Sequence, residues 1–217
     1  KYIYEILGFV GIFVILCFIV FSPRGKELTT RVYDPLRTTA QRNEIVVVAI
    51  DDRSLQSVGA WPWDREVFAR LTSSLVDSGV KLIAFDVLFF EPRGVGDDIF
   101  KKVRTTSNVP IILGAKQTSD GYYSSFFVDN STPKVTSALV NVTPDVDGKV
   151  RVYPEPITIS GVCRETFAES IFRIVTFKQM RECTPTADSY FRYQDKVLTY
   201  SAIDVLSGDV SKDLLLG

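Results

Sequence analysis

Histidine is missing from this chain altogether, and it carries only three cysteines, two tryptophans and one methionine. The missing imidazole removes the commonest general base near neutral pH and the commonest transition-metal ligand. Any chemistry would have to run on carboxylates, lysine, tyrosine, serine or cysteine. A basic excess is missing too: 25 Lys and Arg face 26 Asp and Glu, a formal net charge of −1. A nucleic-acid binder needs a concentrated positive footprint, so no nucleic-acid partner is expected. No repeat or low-complexity linker divides the sequence, and the GVG at 94–96 is too short for a phosphate loop. What remains is ordinary globular material, 217 residues with 46% hydrophobic and 24% charged side chains, enough for a real core.

One long apolar run stands out. From Ile6 to Phe21 the sequence reads ILGFVGIFVILCFIVF, without a charged or strongly polar side chain. About 16 residues at roughly 1.5 Å rise cover about 24 Å, slightly short of a bilayer core, and Ile3 and Tyr4 lengthen the run. Core helices are rarely apolar on every face, so residues 1–22 are expected to be a transmembrane helix. Val20 and Ser22 would suit a small-residue cleavage rule, but Pro23 would then follow the cut, which favours an uncleaved anchor. Residues 23–43 are polar and read as a juxtamembrane segment. Its Arg24, Lys26, Arg31, Arg37 and Arg42 would, by charge alone, keep that side cytoplasmic.

The rest, 44–217, reads as one mixed α/β domain. EIVVVAID (Glu44–Asp51) is a β-branched run without alternation, the pattern of a strand covered on both faces. Asp64 is a good N-cap for a helix with Val67, Phe68, Leu71, Leu75 and Val76 at helical spacing, ending at Gly79. A second strand follows at Val80–Phe90, a short helix from about Asp97, and a third strand at Val109–Lys116. This alternation implies a mixed, largely parallel sheet with helices on both faces. Later, Asp147-Gly148 signals a hairpin between ALVNVTPDV and KVRVYP. A helix is expected over Glu165–Met180, with Phe167, Ile171, Ile174 and Val175 on one side. Were it unbroken, its ends would lie about 24 Å apart, too far for a Cys163–Cys183 bond, which needs α-carbons within about 7 Å. A shorter or kinked helix would permit the bond.

Two constellations could carry function. Asp51 and Asp52 close the first strand, Asp86 lies in the second and Glu91 just beyond it. Gathered on one rim of a parallel sheet, these acids would suit a hard cation and a metal-dependent hydrolase. The structural alternative is that Asp51 or Asp52 caps the following turn and Asp86 pairs with Arg65 or another base. The second constellation is Trp61-Pro62-Trp63, which holds both tryptophans of the chain. Pro62 stiffens the connector, and Arg65 is near enough to stack on an indole or pair with Asp51, Asp52 or Asp86. The indoles form either a plug between strand and helix or the wall of a ligand pocket. DVDGKVR (Asp145–Arg151) is too short for a calcium loop and reads as a turn.

The block IVVVAIDDRSLQSVGAWPWDREVFARLTSSLVDSGVKLIAFDVLFFEP (Ile45–Pro92) resembles the second subtype of CHASE domain, a family of extracytoplasmic sensors associated with cyclases and histidine kinases. The matching elements are Asp51-Asp52 with Ser54-Leu55, Gly59 before Trp61-Pro62-Trp63, then Arg65, and Phe85-Asp86. VTPDVDGKVRVYP and SAIDVLSGDV match less specifically. The resemblance implies an N-terminal anchor, a sensor outside the cytoplasmic membrane of a bacterium, and later spans leading to an intracellular cyclase or kinase. It brings no cofactor and no assigned ligand residue. On this reading the chain is a receptor module and not itself an enzyme. Its expected partners are an extracytoplasmic small molecule, membrane lipid and a second copy. Asp51, Asp52, Trp61, Trp63, Arg65 and Asp86 are the candidate ligand-binding or latch residues.

Overall fold

The computed structural model describes Ser22, Thr38–Thr39, 45–128, 134–145, 147–177, Cys183, Tyr193–Gln194 and 197–211. The expected membrane span at 1–22 lies outside these residues, Ser22 apart. Among the described residues no helix is long and apolar enough to cross a membrane. In chain order the strands are β1 (Thr38–Thr39), β2 (Val46–Ala49), β3 (Ile83–Leu88), β4 (Ile111–Thr118), β5 (Gly121–Tyr123) and β6 (Val135–Leu139). After them come β7 (Ile157–Ile159), β8 (Val162–Arg164), β9 (Tyr193–Gln194) and β10 (Leu198–Ser201). The helices are α1 (Asp52–Val58), α2 (Arg65–Asp77), α3 (Val95–Thr106), α4 (Phe167–Thr176) and α5 (Ala202–Ser207). The architecture is mixed α/β, and the chain divides into two compact units.

The smaller unit comprises Lys1–Gln41, Val142–Tyr153 and Asp188–Lys196. In it β1 pairs in parallel with β9. Asp147-Gly148 does turn the chain: the Gly148 N–H donates to Asp145 O at 2.9 Å, and Gly148 has φ 80°. No strand pair flanks that turn among the described residues, so the expected hairpin is a turn without a ladder. A side chain organises it instead. The Arg151 guanidinium is 2% exposed and donates to both Asp147 oxygens at 2.6 Å and to Asp145 Oδ2 at 3.0 Å. Such a charge-assisted fork is short and geometrically specific, and it holds the Asp147 carboxyl well below the usual carboxylate range.

The larger unit comprises Arg42–Asn141, Pro154–Ala187 and Val197–Gly217. Its main sheet has the order β3-β4-β6, all parallel, with β5 folded back antiparallel on the end of β4. β4 is the central strand, and Ile111, Ile112, Leu113 and Ala115 are all fully buried. β3 is buried on one face only: Ile83 and Phe85 point into the core, whereas Ala84, Asp86 and Leu88 are exposed. The inward face meets α2 and α3 through a phenylalanine cluster. Phe68 lies edge-on to Phe85 and Phe89, and Phe89 packs against Phe100 and Phe127. These five rings dominate the core, as aromatic side chains do by area.

The first strand departs from its expectation. β2 pairs with β10 in a separate two-stranded sheet, with Ile45 and Val47 exposed, so it is not covered on both faces. A β-branched run satisfies a half-covered strand as well as a buried one, and the pattern alone could not separate them. α2 follows expectation, capped by Asp64, whose Oδ1 accepts from the Glu66 N–H at 2.8 Å. Its apolar stripe is buried through Phe68, Leu71 and Leu75.

The third helix of the expected plan is the larger correction. It does not run over Glu165–Met180 but is α4, ten residues opened by a Thr166–Glu169 capping box and closed at Phe177 in the left-handed conformation. Cys163 and Cys183 are bonded, with α-carbons 5.6 Å apart. The geometric objection to that bond assumed a longer helix than the one formed.

Candidate functional site

The connection from β2 to α2 splits its two tryptophans between two roles. Trp63 is 3% exposed; its ring packs 6.2 Å from Phe68, and its indole N–H donates to Gly59 O at 2.8 Å. That is the plug. Trp61, across a cis peptide bond to Pro62, leans on the same rings at 6.0 Å from each but is 47% exposed. That is the wall. An open cleft of about 590 Å³ adjoins them, lined by Pro62, Trp63, Asp64, Glu91 and Arg93. Glu91 and Arg93 are exposed, and neither side-chain charge has a partner among the described residues.

Arg65, the first residue of α2, lies buried beneath this rim at 4% exposure. Its guanidinium lies over the Phe89 ring, 4.6 Å from the centroid, and Nη2 donates to the Glu91 carbonyl at 3.4 Å. Its charge partner is Asp97, with Nε 3.5 Å from Oδ1. Neither of those two atoms makes a hydrogen bond, so the pair is held by charge more than by donor geometry. Asp97 Oδ2 meanwhile accepts the backbone N–H groups of Arg93 and Gly94, which opens α3. Burial, and then the positive charge of Arg93, push the Arg65 guanidinium below its ordinary pKa. The two helix starts touch at Gly96, where an added Cβ would stand 2.2 Å from Asp64 Oδ1.

Asp86 is therefore not the partner of Arg65. Strand alternation puts it on the face of β3 opposite Phe85, exposed and away from the phenylalanine cluster. Asp97 was missed because its neighbours, GVGDD, read only as a helix start; the missing signal was that a buried arginine requires a carboxylate.

Asp51 and Asp52 also separate. Asp52 is the exposed first residue of α1. Asp51 is its N-cap, and one oxygen, Oδ1, accepts from the Ser54 N–H at 2.9 Å, the Ser54 hydroxyl at 2.7 Å and the Ser201 hydroxyl at 2.7 Å. Ser201 ends β10, so this carboxylate ties two chain-distant segments. The Ser201 hydroxyl chiefly, and then the Ser54 donors, draw the Asp51 pKa down to about 2. A depressed carboxyl pKa contributes stability that is whole above the unfolded value, about 4, and is lost as pH falls through the folded value. The wild-type chain is therefore expected to lose melting temperature from about pH 4 down to pH 2, and Ser201→Ala to lose less over that window. Parallel melting curves that keep the same separation throughout would contradict this.

Among the described residues no three acids gather where a metal ion could be held. Asp51 is occupied by its donors, Asp52 and Asp86 face solvent, and Glu91 stands at the cleft. The acids of the first constellation are thus dispersed over separate places in the structure. No curated protein and no solved structure matched the chain. The family model of the CHASE2 domain matches residues 12–215, nearly the whole sequence. The chain belongs to the CHASE2 family, the extracytoplasmic sensor domains of membrane receptors.

Proposed function

We propose that this chain is the sensor module of a bacterial transmembrane signalling receptor, anchored through residues 1–22, joined by 23–43 and folded outside the cytoplasmic membrane from 44 onward. It passes a ligand or stress state to an intracellular output such as a nucleotide cyclase or kinase, and works as a pair of copies. The observation that carries this reading is the match to the sensor family over almost the whole length. The Cys163–Cys183 bond supports the compartment, since such bonds persist in oxidising surroundings and are rare in the bacterial cytosol. The reading is tested by trapping thiols in intact cells. Cys163 and Cys183 are expected to resist alkylation until a reductant is added. Free reaction of both without reductant would place the domain in the cytosol and end the proposal.

The cleft lined by Trp63 is the ligand site of this reading. Its opposed exposed charges, Arg93 and Glu91, suit a small molecule that carries both an anionic and a cationic group, with the indole as an apolar wall. Trp61 and Trp63 are the only tryptophans of the chain, so its indole emission comes entirely from one residue lining the cleft and one packed against it. Titration with a panel of free amino acids is expected to shift that emission, acetate and ethylammonium to leave it unchanged, and Arg93→Ala to weaken the response about tenfold or more. Emission that ignores the whole panel would rule out this ligand class.

A further inference from the structure

The first and last strands of the larger unit lie side by side. β2 and β10 pair in parallel from Val46 with Leu198 to Ala49 with Ser201. Each strand runs directly into a helix, α1 or α5, and the two strand–helix units are tied side to side. Asp51 takes the Ser201 hydroxyl across 150 positions of sequence. The Ile203 N–H donates to Ser54 Oγ at 3.1 Å. The Arg53 guanidinium forks onto both oxygens of Asp204 at 2.9 and 2.8 Å. Among the described residues neither strand has a ladder partner in the β3-β4-β6 sheet. The attachment to the rest is apolar: Ala202 and Val205 of α5 are buried in one cluster with Phe68, Leu71 and Leu75 of α2. Packed apolar faces can slide by small steps, whereas ladder hydrogen bonds hold register.

We propose that β2–α1 and β10–α5 form one coupling body, clasped by Asp51, Ser54, Ser201 and the Arg53–Asp204 pair, which opens and shifts as a unit against the β3-β4-β6 core. Residues 1–44 lead into this body and the residues after 211 lead out of it. Any displacement of it therefore reaches both flanking segments together, while a change confined to the sheet reaches neither. Within the receptor reading above, this is where a signal leaves the domain. The body itself stands or falls independently of that reading.

Hydrogen exchange read by mass spectrometry, on the full chain in lipid nanodiscs, tests it. Segments 46–49 and 198–203 are expected to share one protection factor, lower than that of 111–115 in the central strand. Ser201→Ala is expected to lower the protection of both ends together, by roughly tenfold, and to leave 111–115 unchanged. Arg53→Ala, at a side chain 67% exposed, should act in the same direction more weakly without endangering the fold. The proposal is overturned if the ends exchange at the rate of 111–115, if a substitution alters 198–203 alone, or if both substitutions leave the ends untouched. A cytosolic location found by thiol trapping would leave these rates as expected, so the two failures are distinguishable.

Discussion

Replacing Asp97 with alanine is expected to cost about 3–5 kcal/mol of unfolding free energy, the range for stripping the partner from a buried charge. Arg65 is 4% exposed and cannot move its guanidinium into water without leaving the Phe89 ring. Arg93 adds a second positive charge nearby, so the lost carboxylate leaves two cations facing one another. The same substitution removes the acceptor of the Arg93 and Gly94 N–H groups at the start of α3. Asp97→Asn separates these effects, because the amide oxygen still accepts those N–H groups while the charge is gone. It should fall between wild type and alanine. Asp86→Asn, on the open face of β3, should stay within about 0.5 kcal/mol of wild type. Urea midpoints at unchanged m-value would measure all three. Equal losses for Asp86 and Asp97 would show that the pairing with Arg65 does not carry the energy.

The contrast between those two aspartates marks how far the sequence could be read. The helix at 65–77 was legible because a capping acid, a periodic apolar stripe and a terminal glycine agree with one another. The strand at 111–118 was legible because its length and its run of Ile and Leu fit a buried parallel strand. β2 carries the same kind of run, yet its burial depends on β10, which arrives about 150 residues later. No local pattern contains that information. Asp51 as a cap was within reach of local chemistry, since a helix needs an acceptor at its start. Its bond to Ser201 was not, because it joins elements distant in the chain. Of the candidate residues, Trp61 packs on Trp63, Trp63 lines the cleft with Glu91, and Arg65 lies buried with its Nη2 on the Glu91 carbonyl. Arg93 at the cleft and Asp97 beneath it come from a stretch that read only as a helix start.

Removing the Cys163–Cys183 bond, by Ala at both positions, is expected to destabilise the larger unit by about 3 kcal/mol, the chain-entropy value for a closed loop of this size. The bonded residues are 20 positions apart, and the loop they close contains α4. Its own burial is slight: Ser170 is the helix's one buried residue, and Val175 remains 49% exposed. Its polar ties are short and local, with the Ser170 hydroxyl and the Arg173 guanidinium both on Glu165 at 2.6 and 2.7 Å. A ten-residue helix is too short to persist by its own hydrogen bonds. Without the crosslink it should therefore open before the β3-β4-β6 sheet does. Reductant should lower the wild-type urea midpoint and leave the double variant unmoved, with exchange in 167–176 rising in both. A midpoint insensitive to reductant would mean that the capping box and Glu165 suffice. The compartment argument would then lose its thermodynamic basis, because a domain indifferent to the bond could fold equally well among reduced thiols.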